Sequence, residues 1–234
     1  MSGLLWQWPQ QASVGRVVPK GKFYEHAKVT ARLREAFVNE VDRITWAFKL
    51  APATVHLADS DAVTEIQVFV IEAKAERTVS DQVLAAIDKA VQTPVIFEEV
   101  SSSESSAPTG RDASHRRTRA AYKRPGSRGP VIGSLLNGDW VSASADRQPL
   151  PTALDLPSLY ERLLAPLLPI LPRPGEAMSD TLGRMDRARA LGREVETLER
   201  RMKAEEQLNR KLDIRRELQA RLAEYDAVVL ADGA

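Results

Sequence analysis

Thr64-Glu65-Ile66-Gln67-Val68-Phe69-Val70-Ile71-Glu72-Ala73-Lys74 is the segment that decides the fold class. Ile66, Val68 and Val70 alternate with Gln67, Phe69 and Ile71, so both faces of an extended chain here are largely apolar, the pattern of a central strand covered on both sides. Such a strand needs helices over it, and the flanks supply them. Upstream, Thr30 stands at an N-cap position, and Leu33, Phe37, Val41, Ile44 and Phe48 recur at steps of four and three, predicting one amphipathic helix that runs on to Pro52. The ring of Pro52 clashes with an α-conformed predecessor and ends it. A short β-like run, Thr54 to Leu57, and the turn-forming Asp59, Ser60 and Asp61 lead into the central strand. Downstream, Ser80 and Asp81 cap a helix that turns Val83, Leu84, Ile87 and Val91 inward, and Pro94 to Val100 reads as another strand. Helix, strand, strand, helix, strand predicts an α/β or α+β fold, a small mixed sheet with flanking helices.

Further out, residues 1–25 hold Pro9, Gly15, Pro19 and Gly21 among polar residues, predicting an extended lead-in anchored by Trp6 and Trp8. The core is expected over 26–171. Within it, residues 101–114 are Ser-rich, with Glu104, Pro108 and Gly110, a composition that does not repay the entropy of ordering and predicts a flexible insertion. Arg116 to Arg124 reads as the strand returning from that insertion, and Gly138 to Ser144 as one more short strand. Leu150 to Pro157 is a proline-rich connection. Tyr160, Leu163, Leu164, Leu167 and Leu168 predict a short buried helix stopped at Pro166 and Pro169.

The last segment, 179–227, is a helical arm of different composition, rich in both signs of charge and free of proline. Ser179 is its expected N-cap. Leu191, Val195, Leu198 and Met202 step by four, three and four, the spacing of a coiled-coil seam; Leu208, Leu212, Leu218, Leu222 and Tyr225 make a second stripe. Glu205 and Asn209 fall where the first stripe would continue. The arm is therefore either one long helix with a shifted seam or a helical hairpin.

Composition bounds the chemistry. At 234 residues the chain holds one large domain, or one domain with an appendage. Its 33 Lys and Arg against 32 Asp and Glu leave a net charge of +1, so any electrostatic partner is met locally. The absence of Cys excludes disulfides, thiolate metal sites and a cysteine nucleophile. The three histidines, His26, His56 and His115, lack a second ligand at helical spacing, so no metal site is expected on them. No phosphate-binding glycine loop or Gly-x-Ser-x-Gly elbow occurs. No stretch is apolar enough to cross a membrane, and the amino terminus lacks a basic region followed by an apolar core, so a cytoplasmic protein is expected.

Three constellations carry functional expectations. Glu72-Ala73-Lys74 closes the central strand, with Asp59 upstream and Gln82 and Lys89 on the next helix. In metal-dependent nucleases of the Asp…(Asp/Glu)-x-Lys kind, two carboxylates hold Mg²⁺ and the lysine stabilises charge near the attacking water, so carboxylate and amine share a strand face. Asp59 is the expected second carboxylate, with Asp61 or Glu65 in its place under a different register; the competing reading is a strand end with solvated charges. Second, Arg111, Arg116, Arg117, Arg119, Lys123, Arg124 and Arg128, with His115 and Tyr122 interleaved, form a basic hairpin suited to nucleic-acid phosphates, or a solvated, charge-protected edge. Third, the stripe of Leu191, Val195, Leu198, Met202, Leu208 and Leu212 needs a partner: its own second half, another copy, or another protein. No cofactor is expected apart from Mg²⁺ under the nuclease reading.

Five blocks of sequence resemble a known family: Pro19-Lys20-Gly21-Lys22-Phe23-Tyr24-Glu25, Ile44-Thr45-Trp46-Ala47-Phe48-Lys49-Leu50-Ala51-Pro52, Glu65-Ile66-Gln67-Val68-Phe69, Ile87-Asp88-Lys89-Ala90 and Gln207-Leu208-Asn209-Arg210-Lys211. In this order they resemble the bacterial domain of unknown function family 4391, over most of the chain except the Ser-rich insertion. That family has no established biochemistry; its association with helicase and DNA-methyltransferase genes in phage-defence loci implies an accessory or interaction protein. The expectation is a subunit or partner in a DNA-modification system that docks through the core and the helical arm, the alternative being the Mg²⁺-dependent nuclease.

Overall fold

The computed structural model describes residues 4–26, 30–103, 113–127 and 129–230. Along the chain come β1 (Trp6–Gln7), β2 (Ser13–Val17), α1 (Lys20–His26), α2 (Ala31–Glu40), β3 (Val41–Leu50), α3 (Pro52–Val55), β4 (Ile66–Ala73), α4 (Asp81–Ala90) and β5 (Val95–Ser103). Then follow β6 (Ala113–Arg124), β7 (Val131–Asn137), β8 (Val141–Ser142), β9 (Gln148–Pro149), α5 (Leu156–Leu164), α6 (Met178–Ala204) and α7 (Leu208–Val229). The fold is mixed α/β. The described chain divides into two compact units, one ending at Leu167 and one beginning at Leu168.

In the first unit β4 lies inside a seven-stranded sheet of order β2-β3-β4-β5-β6-β7, with β8 alongside β6. It pairs antiparallel with β3 and parallel with β5. A parallel pair needs a crossover, and α4 supplies it. Helices α2 and α4 cover one face of the sheet, where Phe37 of α2 and Val83, Leu84 and Ile87 of α4 pack with Phe69 and Phe97 of the strands. Leu159, Tyr160 and Leu163 of α5 are also buried, and the Tyr160 hydroxyl ties the helix to β6, donating to Ala121 O (2.7 Å) and accepting from Lys123 N (3.0 Å).

The long helix expected from Thr30 to Pro52 is corrected. Its first part forms, with Thr30 Oγ1 accepting from Leu33 N, but α2 ends at Glu40 and the chain continues as the ten-residue strand β3. Val41, Ile44, Ala47 and Leu50 are its buried positions, spaced by three. Register shifts between Val41 and Arg43 and between Trp46 and Phe48 each insert one residue, so nine steps of β3 run against seven of β4, and Val41 and Leu50, opposite Ala73 and Ile66, are buried on opposite faces of the sheet. A bulged strand thereby imitates helical spacing, while its Val, Ile, Thr, Trp and Phe content favours an extended chain.

Three smaller differences have local causes. Thr54 to Leu57 is not a strand: Pro52 starts the single-turn helix α3, and Thr54 Oγ1 accepts from Ala51 N (2.9 Å). Where Gly138 to Ser144 was expected to form a strand, only the short β8 does, and the main pairing with β6 is made by β7 instead. Gly133 interrupts the apolar pattern of β7, where a Cβ would make only ordinary contact with Tyr122 O, at 3.4 Å. Of the Ser-rich insertion, 104–112 lies outside the described residues.

The second unit is a helical hairpin. α6 and α7 are joined through Glu205 to Gln207, where Gln207 N donates to Glu205 Oε1 (3.0 Å). Ala177, not Ser179, is the residue before α6. Leu198 packs against Ile214 and Leu218, flanked by Val195 and Met202, so half of the expected seam is satisfied by the chain's own second helix.

Candidate functional site

The basic hairpin is the first place where the structure departs from the expected site. Four of its cations, on β6, have partners within the protein. Glu98 and Glu99 are consecutive on β5 and therefore face opposite sides of the sheet; their exposures are 1% and 0%. On one side Glu98 receives Arg147 in a bidentate pair (2.7 and 2.8 Å), Arg116 (3.3 Å) and the indole N–H of Trp8. Opposite, Glu99 receives Arg117 Nε (2.8 Å), Arg119 Nη1 (3.0 Å) and Val79 N (2.6 Å). Arg119 also reaches Val79 O, Asn137 and Asp81, while Arg117 lies over the Trp140 ring at 4.4 Å. A buried carboxylate demands such cationic neighbours, and these guanidinium groups are held by the sheet rather than offered to phosphate.

Lys123 is likewise internal. Its ammonium donates to the carbonyls of Asp88, Val91 and Thr93 (2.7, 2.7 and 2.9 Å) and lies 2.7 Å from Asp88 Oδ1. It closes the carboxy terminus of α4, where unpaired carbonyls collect. Burial pushes the Asp88 carboxyl above its ordinary range and the Lys123 ammonium below its own, each opposed by the charge of the other. Of the proposed nucleic-acid contacts among the described residues, Arg124 alone is fully on the surface; Arg111 and Arg128 lie outside the described residues.

Glu72 and Lys74, by contrast, open into a cleft of about 610 Å³ where β3 begins and β4 ends, lined also by Asn39, Asp42, Arg77 and Val100. Arg43 stands opposite Glu72 and Val41 opposite Ala73, so Asp42 is the extra, bulged residue between them, and it lines the same cleft as Glu72. Arg43 Nη2 donates to Glu72 Oε2 (2.7 Å), and no described side chain bonds Glu72 Oε1. Lys20 of α1 donates to Val41 O; its ammonium is pushed below its ordinary value by burial and then by the charge of Lys74, with Asp42 opposing. Two amines and a carboxylate from three parts of the chain thus meet at this edge.

The carboxylates expected to complete a metal pair with Glu72 are elsewhere. Asp59 and Asp61 precede β4, and Asp61 lines a different cavity with Thr93 and Pro94 at the start of β5. Glu65 pairs with Lys49 at the same end. From there to Glu72 is most of the length of a strand, about 20 Å at about 3.3 Å per residue. Asp42 was invisible as a candidate because its segment was read as helix. Among the described residues no three His, Asp or Glu side chains converge as a metal site.

On the helical hairpin, the exposed remainder of the leucine stripe forms a groove of about 500 Å³ lined by Met202, Leu208, Leu212 and Leu218, with Lys211 and Arg215 on its rim. Leu208 is 71% exposed and Leu212 44%. Leu191 and Leu198, expected at the same interface, are buried. Lys211 and Arg215, one helical turn apart, form no ion pair among the described residues, whereas the neighbouring Arg216 pairs with Asp213 and Arg221 with Glu194. Elsewhere on this unit Arg184 makes a two-point contact with Glu176 (2.8 and 2.7 Å) and holds that carboxyl far below its ordinary range, at about 2.

No described helix is long and apolar enough to cross a membrane. The model of the domain of unknown function DUF4391 matches residues 7–224, nearly the whole chain, and the chain belongs to that family. No curated protein and no solved structure gives a match.

Proposed function

We propose that this DUF4391 protein is an interaction module whose helical hairpin docks an acidic amphipathic helix of a larger partner. The observation that carries the reading is the groove at the turn end of the hairpin, where Leu208 and Leu212 are exposed on one face of α7 above Met202. Leucines left in water one turn apart suit the anchor spacing of a helix laid in a groove. The charge of the rim selects the occupant. Lys211 and Arg215 pair with no carboxylate among the described residues, so a helix with Glu or Asp flanking its apolar anchors gains ion pairs there, whereas a basic helix is repelled. The family resemblance supplies the context, a DNA-modification or helicase assembly of the phage-defence kind.

The test uses two labelled helical peptides with identical leucine anchors, one flanked by Glu and one by Lys, titrated into the full chain at rising salt. The Glu-flanked peptide is expected to bind, to weaken with salt, and to lose binding in Leu212→Glu; Lys211→Glu with Arg215→Glu should transfer binding to the Lys-flanked peptide. Equal binding of both peptides refutes the reading. So does a stable dimer of the free protein that Leu212→Glu abolishes, because the occupant is then a second copy.

A further inference from the structure

We propose that the corner following α4 is a monovalent-cation site that the chain fills with its own ammonium. The main-chain oxygens of Asp88, Val91 and Thr93 form the cage with Asp88 Oδ1, the ion it suits has the size and charge of K⁺ or NH₄⁺, and Lys123 occupies it as a tethered cation. The proposal concerns the first unit and is independent of the hairpin reading.

The cage is built where the chain leaves a helix. Past Ala90, carbonyls that have run out of helical donors collect at the negative end of the α4 dipole. Three of them stand 2.7, 2.7 and 2.9 Å from Lys123 Nζ, and Asp88 Oδ1 stands at 2.7 Å. The lysine arrives from β6, directly after a register shift in its pairing with β7, and its main-chain N–H is held by the Tyr160 hydroxyl (3.0 Å). All four oxygens thus belong to one short segment, 88–93, and the cation to a distant strand, so the cage does not owe its ligands to the lysine.

Four oxygens face three protons. An ammonium donates three hydrogen bonds, and here all three go to the carbonyls. Asp88 Oδ1 is in charge contact yet receives no hydrogen bond from any described residue, and neither does Oδ2, although Asp88 is 1% exposed. Buried carboxylate oxygens ordinarily have donors. A spherical cation has no directional limit and draws all four oxygens at once, as rings of carbonyls do when they replace the water around K⁺. The single carboxylate balances one positive charge, which selects a monovalent ion over Ca²⁺ or Mg²⁺. Oxygens spaced around an ammonium fit K⁺ and NH₄⁺ and stand too far apart for Li⁺ to touch together. Lys123 also lines a cavity of about 280 Å³ with Gln92, Thr93 and Pro94, which gives a free ion its way in once the side chain is shortened. With the lysine in place the corner needs no ion from solution.

Lys123→Ala, which empties the cage, is melted in the chlorides of K⁺, NH₄⁺, Li⁺ and choline at one ionic strength, with tryptophan fluorescence reporting the first unit. K⁺ and NH₄⁺ should each raise its melting temperature by about 3 °C or more over choline, and Li⁺ should not. The unaltered protein, whose cage is full, should melt alike in every salt, and so should Lys123→Met, whose longer side chain fills the place of the ion. Adding Asp88→Asn to Lys123→Ala should remove most of the gain. Thallium(I), a magnetic-resonance substitute for K⁺, should give a bound signal with Lys123→Ala and none with the unaltered protein. If Lys123→Ala is unfolded in choline, K⁺ should restore its folded state. A Lys123→Ala protein that melts alike in every salt, that stays unfolded in every salt, or whose response to K⁺ is shared by the unaltered protein overturns the proposal.

Discussion

Glu99→Ala is the sharpest probe of how the sheet is held. The carboxylate is fully buried and receives Arg117, Arg119 and Val79 N. Its removal leaves Arg119, 2% exposed, with Asp81 as its remaining carboxylate, and the Asp81 side chain is 73% exposed. Breaking a buried pair by deleting one member costs about 3 to 5 kcal/mol, because the survivor stays desolvated and uncompensated. In a unit of this size each kcal/mol moves the melting temperature by about 2 to 4 °C, so a fall of roughly 10 °C is expected. All four tryptophans, at 6, 8, 46 and 140, lie in the first unit, so their fluorescence follows its urea unfolding separately from the hairpin. The decisive comparison is Glu99→Leu with Arg119→Met. Removing both charges replaces an ion pair with apolar side chains, and the double variant should be more stable than Glu99→Leu alone. A loss below about 1 kcal/mol in Glu99→Ala, or strict additivity in the double variant, refutes the reasoning.

The remaining predictions concern other contacts. Leu198→Glu puts a charge into the seam with Ile214 and Leu218 and should cost several kcal/mol, about 3 or more, whereas Leu212→Glu, 44% exposed, should stay within about 0.5 kcal/mol; far-ultraviolet dichroism melts read both. Glu176 ionises at about 2 in the folded hairpin against an ordinary 4.5, so its stabilisation is present above about pH 4.5 and is lost as pH falls toward 2; Glu176→Gln should flatten the acid limb of a stability-against-pH curve. Lys123→Met strands Asp88 in the interior and opens the carbonyl end of α4, and should lower the urea midpoint of the first unit by the equivalent of about 3 kcal/mol.

The architecture was legible where side-chain chemistry and strand period agree. Ile66 to Ile71 carries two apolar faces and became an interior strand, and Ser80 to Ile87 carries a start signal and an apolar stripe and became the crossover helix. The period failed at Val41 to Leu50. Bulges are set by long-range pairing, and two of them, in a strand buried on both faces, leave buried positions at steps of three that a local reading assigns to a helix. The order helix, strand, strand, helix, strand nevertheless emerged, because the β3 segment takes the place given to Thr54 to Leu57. The hairpin turn at Glu205 to Gln207 left a trace, the break in the leucine stripe, but no Gly or Pro to decide between a turn and a register shift.

Site residues were legible to different depths for a related reason. Glu72 and Lys74 are two apart on one strand, so a local rule places them together. Asp42 joins them through the pairing of β3 with β4, across 30 positions of sequence, and misreading β3 hid it. The arginines of β6 show the converse. Read along the chain they are a run of cations, but alternation sends Arg116 to one face of the sheet and Arg117 and Arg119 to the other. There each meets a glutamate of β5 that the sequence shows only as an acidic pair inside an apolar strand, Ile96-Phe97-Glu98-Glu99-Val100. Two adjacent carboxylates in such a strand require buried cations on both faces, since a lone buried carboxylate is too costly to retain. That demand was readable in advance, and it bears directly on function. Cations committed to Glu98 and Glu99 are held by the sheet, and of the hairpin's described cations Arg124 alone is fully on the surface.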